Sequence, residues 1–131
     1  MNFFHKAVQL ALKAAMRAPL YLRGMVLMLK VRACGGTCAS VPRVDKGLTL
    51  RYPPHAGLVL GRGLRIGPDC MIECPPGALL SIGDGVGLTA GVILSAHREI
   101  VIGDNCLFAE WVSVRDGEHR TLATTTIASQ A

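Results

Sequence analysis

Two of the four histidines stand where other chemistry-bearing side chains crowd together. His119 follows Asp116 and Glu118 in the run Arg115-Asp116-Gly117-Glu118-His119-Arg120, and His97 lies in Ser95-Ala96-His97-Arg98-Glu99. An imidazole has an ordinary pKa of about 6.5, so it can take and return a proton near neutral pH. A carboxylate beside it can fix which ring nitrogen carries that proton. The plainer reading of each is a solvated histidine at a turn, so the surrounding pattern has to decide. His5 sits in a basic segment and His55 beside Pro53-Pro54, and neither has a chemical partner nearby in sequence.

The five cysteines are an odd number with no secretory signal before them, which speaks against a disulfide framework and for a reducing, cytoplasmic setting. Cys34 with Cys38, and Cys70 with Cys74, form two CxxxC pairs. Four thiolates could hold zinc, but structural zinc sites favour the tighter C-x2-C spacing. Zinc hydration chemistry needs three histidine ligands, and beyond His97 and His119, which are far apart in the chain, the coil offers only His55. No metal is expected.

What positions His97 and His119 is a repeat. Leu58-Val59-Leu60-Gly61-Arg62-Gly63 aligns with Leu80-Ser81-Ile82-Gly83-Asp84-Gly85 and with Ile100-Val101-Ile102-Gly103-Asp104-Asn105. From each block an apolar residue recurs every six positions: Leu60, Ile66, Ile72; Ile82, Leu88, Leu94; Ile102, Phe108, Val114. Successive anchors at that period would turn about 600° around a helix and scatter over three of its faces. A chain that makes three short strands per turn can instead aim every anchor inward and place glycine or small residues at the corners. The positions four after each anchor fit such corners: Leu64, Cys70, Val86, Val92, Cys106 and Val112 are compact and apolar. Pro76, Arg98 and Glu118 depart from this, and all three belong to third hexads, where the spacing to the next anchor is longer. Val44 to Leu50 reads as one further, degenerate coil. His97 and His119 therefore share one edge of a triangular coil.

This pattern resembles the hexapeptide-repeat acyltransferases over about residues 44–120, which implies a mainly β fold: a left-handed parallel β-helix of about three to four coils. Val114-Arg115-Asp116-Gly117-Glu118-His119 is similar to the Asp-x-x-His segment of the maltose and polysaccharide O-acetyltransferase branch. The resemblance implies His119 as general base, Asp116 or Glu118 orienting it, acetyl-CoA as co-substrate, a sugar hydroxyl as acceptor, and a homotrimer. His97, Arg115 and Trp111 are the expected substrate contacts, with Trp111 placed at an outward position of a middle strand. A turn cap for His97 and a subunit contact for Trp111 stand beside those roles. The Trp-Ile-Gly and Gly-Asn-Pro-Ala segments along which relatives bind acetyl-CoA are not found in residues 121–131. The expectation is the N-terminal portion of such an enzyme, and the alternative is a non-catalytic β-helical remnant or assembly subunit.

Charge divides the chain further. The first 44 residues carry seven basic side chains and no acid, while the remainder is nearly neutral. Basic residues at 6, 13, 17, 23 and 30 interrupt the apolar arm, so it falls short of the roughly 20 continuous apolar residues of a membrane span. It reads as two amphipathic helices divided at Pro19, with Lys6, Lys13 and Arg17 on one face and Phe3, Phe4, Val8, Leu12 and Ala15 on the other. Two uses fit: peripheral contact of residues 1–32 with an anionic membrane, at its cytoplasmic face, or a cover for the open end of the coil. Nucleic acid is not an expected partner, since the charge is interleaved with aliphatic residues and no binding motif is present. The expected organisation is a helical arm at 1–33, the β-helix at 34–120 and an irregular tail at 121–131.

Overall fold

The computed structural model describes residues 3–116. Glu118, His119 and the 121–131 tail lie outside the described residues.

Helix α1 (Phe3–Ala33) is a single element of 31 residues with Pro19 inside it. The division at Pro19 expected from the sequence is therefore not found. A proline inside a helix removes one hydrogen bond and costs about 3 kcal/mol. Here Pro19 is exposed, so water can serve the carbonyl it leaves unpaired, and alanine- and leucine-rich turns on both sides favour continuation.

Twelve short strands follow: β1 (Thr37–Cys38), β2 (Arg43–Val44), β3 (Thr49–Leu50), β4 (Leu58–Leu60), β5 (Arg65–Ile66), β6 (Met71–Glu73), β7 (Leu79–Ile82), β8 (Gly87–Leu88), β9 (Ile93–Ser95), β10 (Glu99–Ile102), β11 (Leu107–Phe108) and β12 (Ser113–Arg115). They form three parallel sheets in the orders β1-β4-β7-β10, β2-β5-β8-β11 and β3-β6-β9-β12. Every third strand thus returns to the same wall, which makes a parallel β-solenoid of about four turns, consistent with a left-handed β-helix.

Register confirms the sixfold rhythm directly. Cys38 pairs with Leu60, Leu60 with Ile82, and Ile82 with Ile102. Val44, Ile66, Leu88 and Phe108 form the second column, and Leu50, Ile72, Leu94 and Val114 the third. The anchors of the second and third coils are all buried, and each contributes on the order of 1.5–3 kcal/mol of apolar transfer. The corner residues Pro42, Leu64, Cys70, Val86 and Val92 are buried too. The first coil is more complete than the sequence suggests, because Cys38 is its first anchor, buried with its thiol donating to the Ser40 carbonyl. Cys70 likewise donates to the Thr89 carbonyl. Both thiols act as small core residues, and burial pushes their pKa up against the lowering influence of Arg32 on Cys38 and of backbone hydrogen bonds on both.

The second half of α1 closes the top of the solenoid. Gly24, Leu27 and Val31 are its buried residues, and Arg32 adds a two-pronged hydrogen bond to the Cys38 carbonyl at 3.0 and 2.7 Å. Gly24 has a specific reason to lack a side chain: a Cβ there would run into the backbone carbonyl of Pro42.

Trp111 does not occupy a middle strand. It sits at the second corner with φ of 65°, stacked in the column of Gly47, Asp69 and Gly91, all of which also have positive φ. Its indole lies over Gly91, where any Cβ would collide with the ring, and its other face is open to solvent. The corner backbone and not the strand pleat decides where this side chain goes.

Candidate functional site

The longer third corners of successive coils stack into one ridge, formed by residues 51–57, 73–78 and 95–98 with Asp116 below them. Parallel register does the placing. Because Ile72 pairs with Leu94 and Leu94 with Val114, the residues one step further on, Glu73, Ser95 and Arg115, are brought into line.

Glu73 is the hub of the ridge. Its Oε1 accepts the Ser95 hydroxyl at 2.7 Å and faces His97 Nε2 at 3.0 Å, while Oε2 is 3.7 Å from Arg51 Nε. Ser95 is almost fully buried, whereas the His97 ring is half exposed. The Ser95 hydrogen bond is the main influence holding the Glu73 carboxyl below its ordinary pKa; burial opposes it, and His97 and Arg51 add to the lowering. Glu73 is therefore ionised at neutral pH and favours the His97 tautomer with its proton on Nε2. Among the described residues no hydrogen bond engages Nδ1 of His97, so that nitrogen is left as an acceptor.

Asp116 is engaged differently. Its Oδ1 accepts the His97 N–H at 2.6 Å, and its Oδ2 accepts the N–H groups of Arg98 at 2.8 Å and Glu99 at 2.6 Å. Burial raises its pKa, but those hydrogen bonds, with one from its own N–H, outweigh burial and hold the carboxyl below the ordinary value. Asp116 thus pins the corner that carries His97, and the next segment of chain from it leads to Glu118 and His119. One anion fixes the backbone of one histidine and precedes the other by three residues.

His55 and Cys74 occupy the upper part of the ridge as structural parts. His55 Nδ1 accepts the Gly57 N–H and its Nε2 faces the Cys74 carbonyl, both at 3.0 Å, so both ring nitrogens are committed. The Cys74 thiol, 3.6 Å from His55 Nε2, is buried, and burial drives its pKa up, with a backbone hydrogen bond opposing and the charge of Asp116 adding to the rise. It is a poor nucleophile. Among the described residues no group of three or more His, Cys, Asp or Glu could hold a metal ion.

The structure brings His97 and Asp116 together on this ridge. Arg115 lies on the same wall, with its Nε donating to the Ser113 hydroxyl at 2.9 Å. Trp111 stands apart at the second corner. Glu118 and His119 lie outside the described residues. The sequence reading missed Glu73, Ser95 and Arg51, although a signal existed: Arg51, Glu73, Ser95 and Arg115 each follow directly after a third anchor, Leu50, Ile72, Leu94 and Val114. A polar residue repeated at that place marks the column that stacks along the ridge.

Among curated proteins the chain is similar to one named "Probable acetyltransferase" from Mycobacterium tuberculosis, with 34% identity over 78 residues. The similar stretch covers 59% of this chain and 26% of that protein, so the chain spans about a quarter of the relative's length. No family model matches, and no solved structure matches significantly. The solenoid and this similarity fit a hexapeptide-repeat acetyltransferase. No helix among the described residues is long and apolar enough to cross a membrane.

Proposed function

We propose that the chain is the solenoid part of an O-acetyltransferase that moves an acetyl group from acetyl-CoA to a hydroxyl of a surface-polysaccharide or glycolipid sugar, working as a homotrimer. The observation that carries this reading is the ridge itself: Asp116 holds the His97 corner through three backbone N–H groups and stands three residues before His119.

In the proposed reaction His119 takes the proton of the sugar hydroxyl as its oxygen attacks the thioester carbonyl carbon. The tetrahedral intermediate expels the CoA thiolate, which recovers that proton from the imidazolium, leaving a sugar ester and free CoA. Glu118 or Asp116 orients His119. Trp111, on the second corner, serves as a subunit contact, and His97 and Arg115 contact substrate. His97 suits this because Glu73 fixes its ring and leaves Nδ1 to accept a hydrogen bond from a sugar hydroxyl.

Calorimetric titration of CoA into the full chain tests the reading. Saturable binding is expected, and no binding at millimolar CoA rejects catalysis by this chain.

A further inference from the structure

The first half of α1 packs on nothing among the described residues, and the apolar side of the whole helix faces away from the solenoid. At about 100° per residue, the buried docking residues Gly24, Leu27 and Val31 fall on one side of the helix. Phe4, Ala11, Ala15, Ala18, Leu22 and Leu29 fall about 180° from them, flanked by Val8, Met25 and Val26. This stripe is exposed along its full length: Phe4 is 69%, Leu22 64% and Leu29 60% accessible. At a rise of about 1.5 Å per residue it extends over roughly 38 Å. A contiguous apolar surface of that size marks a docking face, because isolated exposed leucines are common and an aligned row of them is not.

Charge decides what docks there. The helix carries Lys6, Lys13, Arg17, Arg23, Lys30 and Arg32 and no acidic residue. Between α1 and the first coil, Lys13, Arg17, Arg23, Arg43 and Lys46 line a cleft of about 550 Å³ whose only acid is Asp45. A second copy of the same helix would set like charges against like. An anionic lipid surface satisfies both features at once, taking the apolar stripe among its acyl chains and Arg23 and Lys30, which flank the stripe, among its headgroups, while the remaining cations of the helix add longer-range attraction.

We propose that α1 lies in the plane of an anionic membrane, with the Phe4–Leu29 stripe inserted and the β-helix held above it through Gly24, Leu27 and Val31. The arm is then the protein's membrane anchor as well as the cap of its solenoid, and this holds whether or not the chain transfers acetyl groups.

Co-sedimentation of the full chain with phosphatidylcholine vesicles, with and without phosphatidylglycerol, tests the proposal. Two variants accompany the wild type: Leu22→Glu with Leu29→Glu on the outward stripe, and Arg23→Gln with Lys30→Gln beside it. Neither pair includes a buried docking residue, and a thermal melt confirms that the solenoid remains folded. Wild type is expected to sediment with anionic vesicles and to be released by salt. The stripe variant should lose at least tenfold in partitioning. The charge variant should lose about fivefold for each basic residue removed, on anionic vesicles only. Equal sedimentation of wild type and stripe variant overturns the proposal. So does a wild type that ignores vesicles but forms an oligomer in solution that the stripe variant disperses, which assigns the stripe to a second copy of the chain.

Discussion

Replacing Asp116 with asparagine tests the ridge at its most connected point. The carboxylate receives one N–H on Oδ1 and two on Oδ2. Asparagine keeps the Oδ1 contact but sets an NH2 donor against the N–H groups of Arg98 and Glu99. Hydrogen bonds to charged groups are worth roughly 1.5–3 kcal/mol each, and their half-exposed setting argues for the low end or below. Losing two gives a destabilisation of about 2–3 kcal/mol, or roughly 8–12 °C in Tm for a domain of this size. Because the Asp116 carboxyl titrates below its ordinary value, its stabilisation is fully present above the unfolded pKa of about 3.9 and disappears as pH falls through the folded pKa. Asp116→Asn should therefore lose part of the wild type's acid-side slope as well as its Tm. Amide hydrogen exchange localises the effect: the N–H groups of Arg98 and Glu99 should lose protection, while that of Ile93, bonded to the Val112 carbonyl, keeps it. A Tm within about 2 °C of wild type, with unchanged exchange at residues 98 and 99, refutes the assignment of Asp116 as the corner's pin.

Other expected outcomes follow from the same packing. Leu94→Ala empties a fully buried anchor between Ile72 and Val114, and denaturant melts should show a loss of about 2–5 kcal/mol. Gly24→Ala drives a methyl group into the Pro42 carbonyl; α1 should lift from the first coil, exposing Leu27 and Val31 to proteolysis near Ala33 while sheet protection in the second coil persists. Ser95→Ala removes the chief influence that lowers the Glu73 carboxyl, so carbon-detected NMR should show its titration moving upward toward the ordinary glutamate value. The stability Glu73 contributes above that value should shrink accordingly.

The anchors were legible because the period of six belongs to this architecture and to neither an α-helix nor a lone strand, and register turned their spacing into superposed rungs. Cys38 escaped that reading because a cysteine invites questions of metal and redox, yet burial and its hydrogen bond to Ser40 give it the work of a valine. The break expected at Pro19 rested on a local rule, and exposure of the proline relaxed it. Trp111 was assigned to a strand by counting from the anchors, but the corner column that includes Asp69 and Gly91 carries the left-handed turn and takes Trp111 with it. At the ridge, residue type singled out His97 and Asp116, and the stacked corners bring them together. Glu73 was not, because its partners Ser95 and His97 lie 22 and 24 residues away and meet it only once the coils stack.

Transfer of labelled acetyl from acetyl-CoA to sugar acceptors, compared between the full chain and its His119→Ala variant, tests the proposed function most directly. The account predicts labelled sugar ester from the wild type and a loss of at least 100-fold in the variant, with CoA binding and Tm unchanged. Transfer at the wild-type rate in His119→Ala contradicts it.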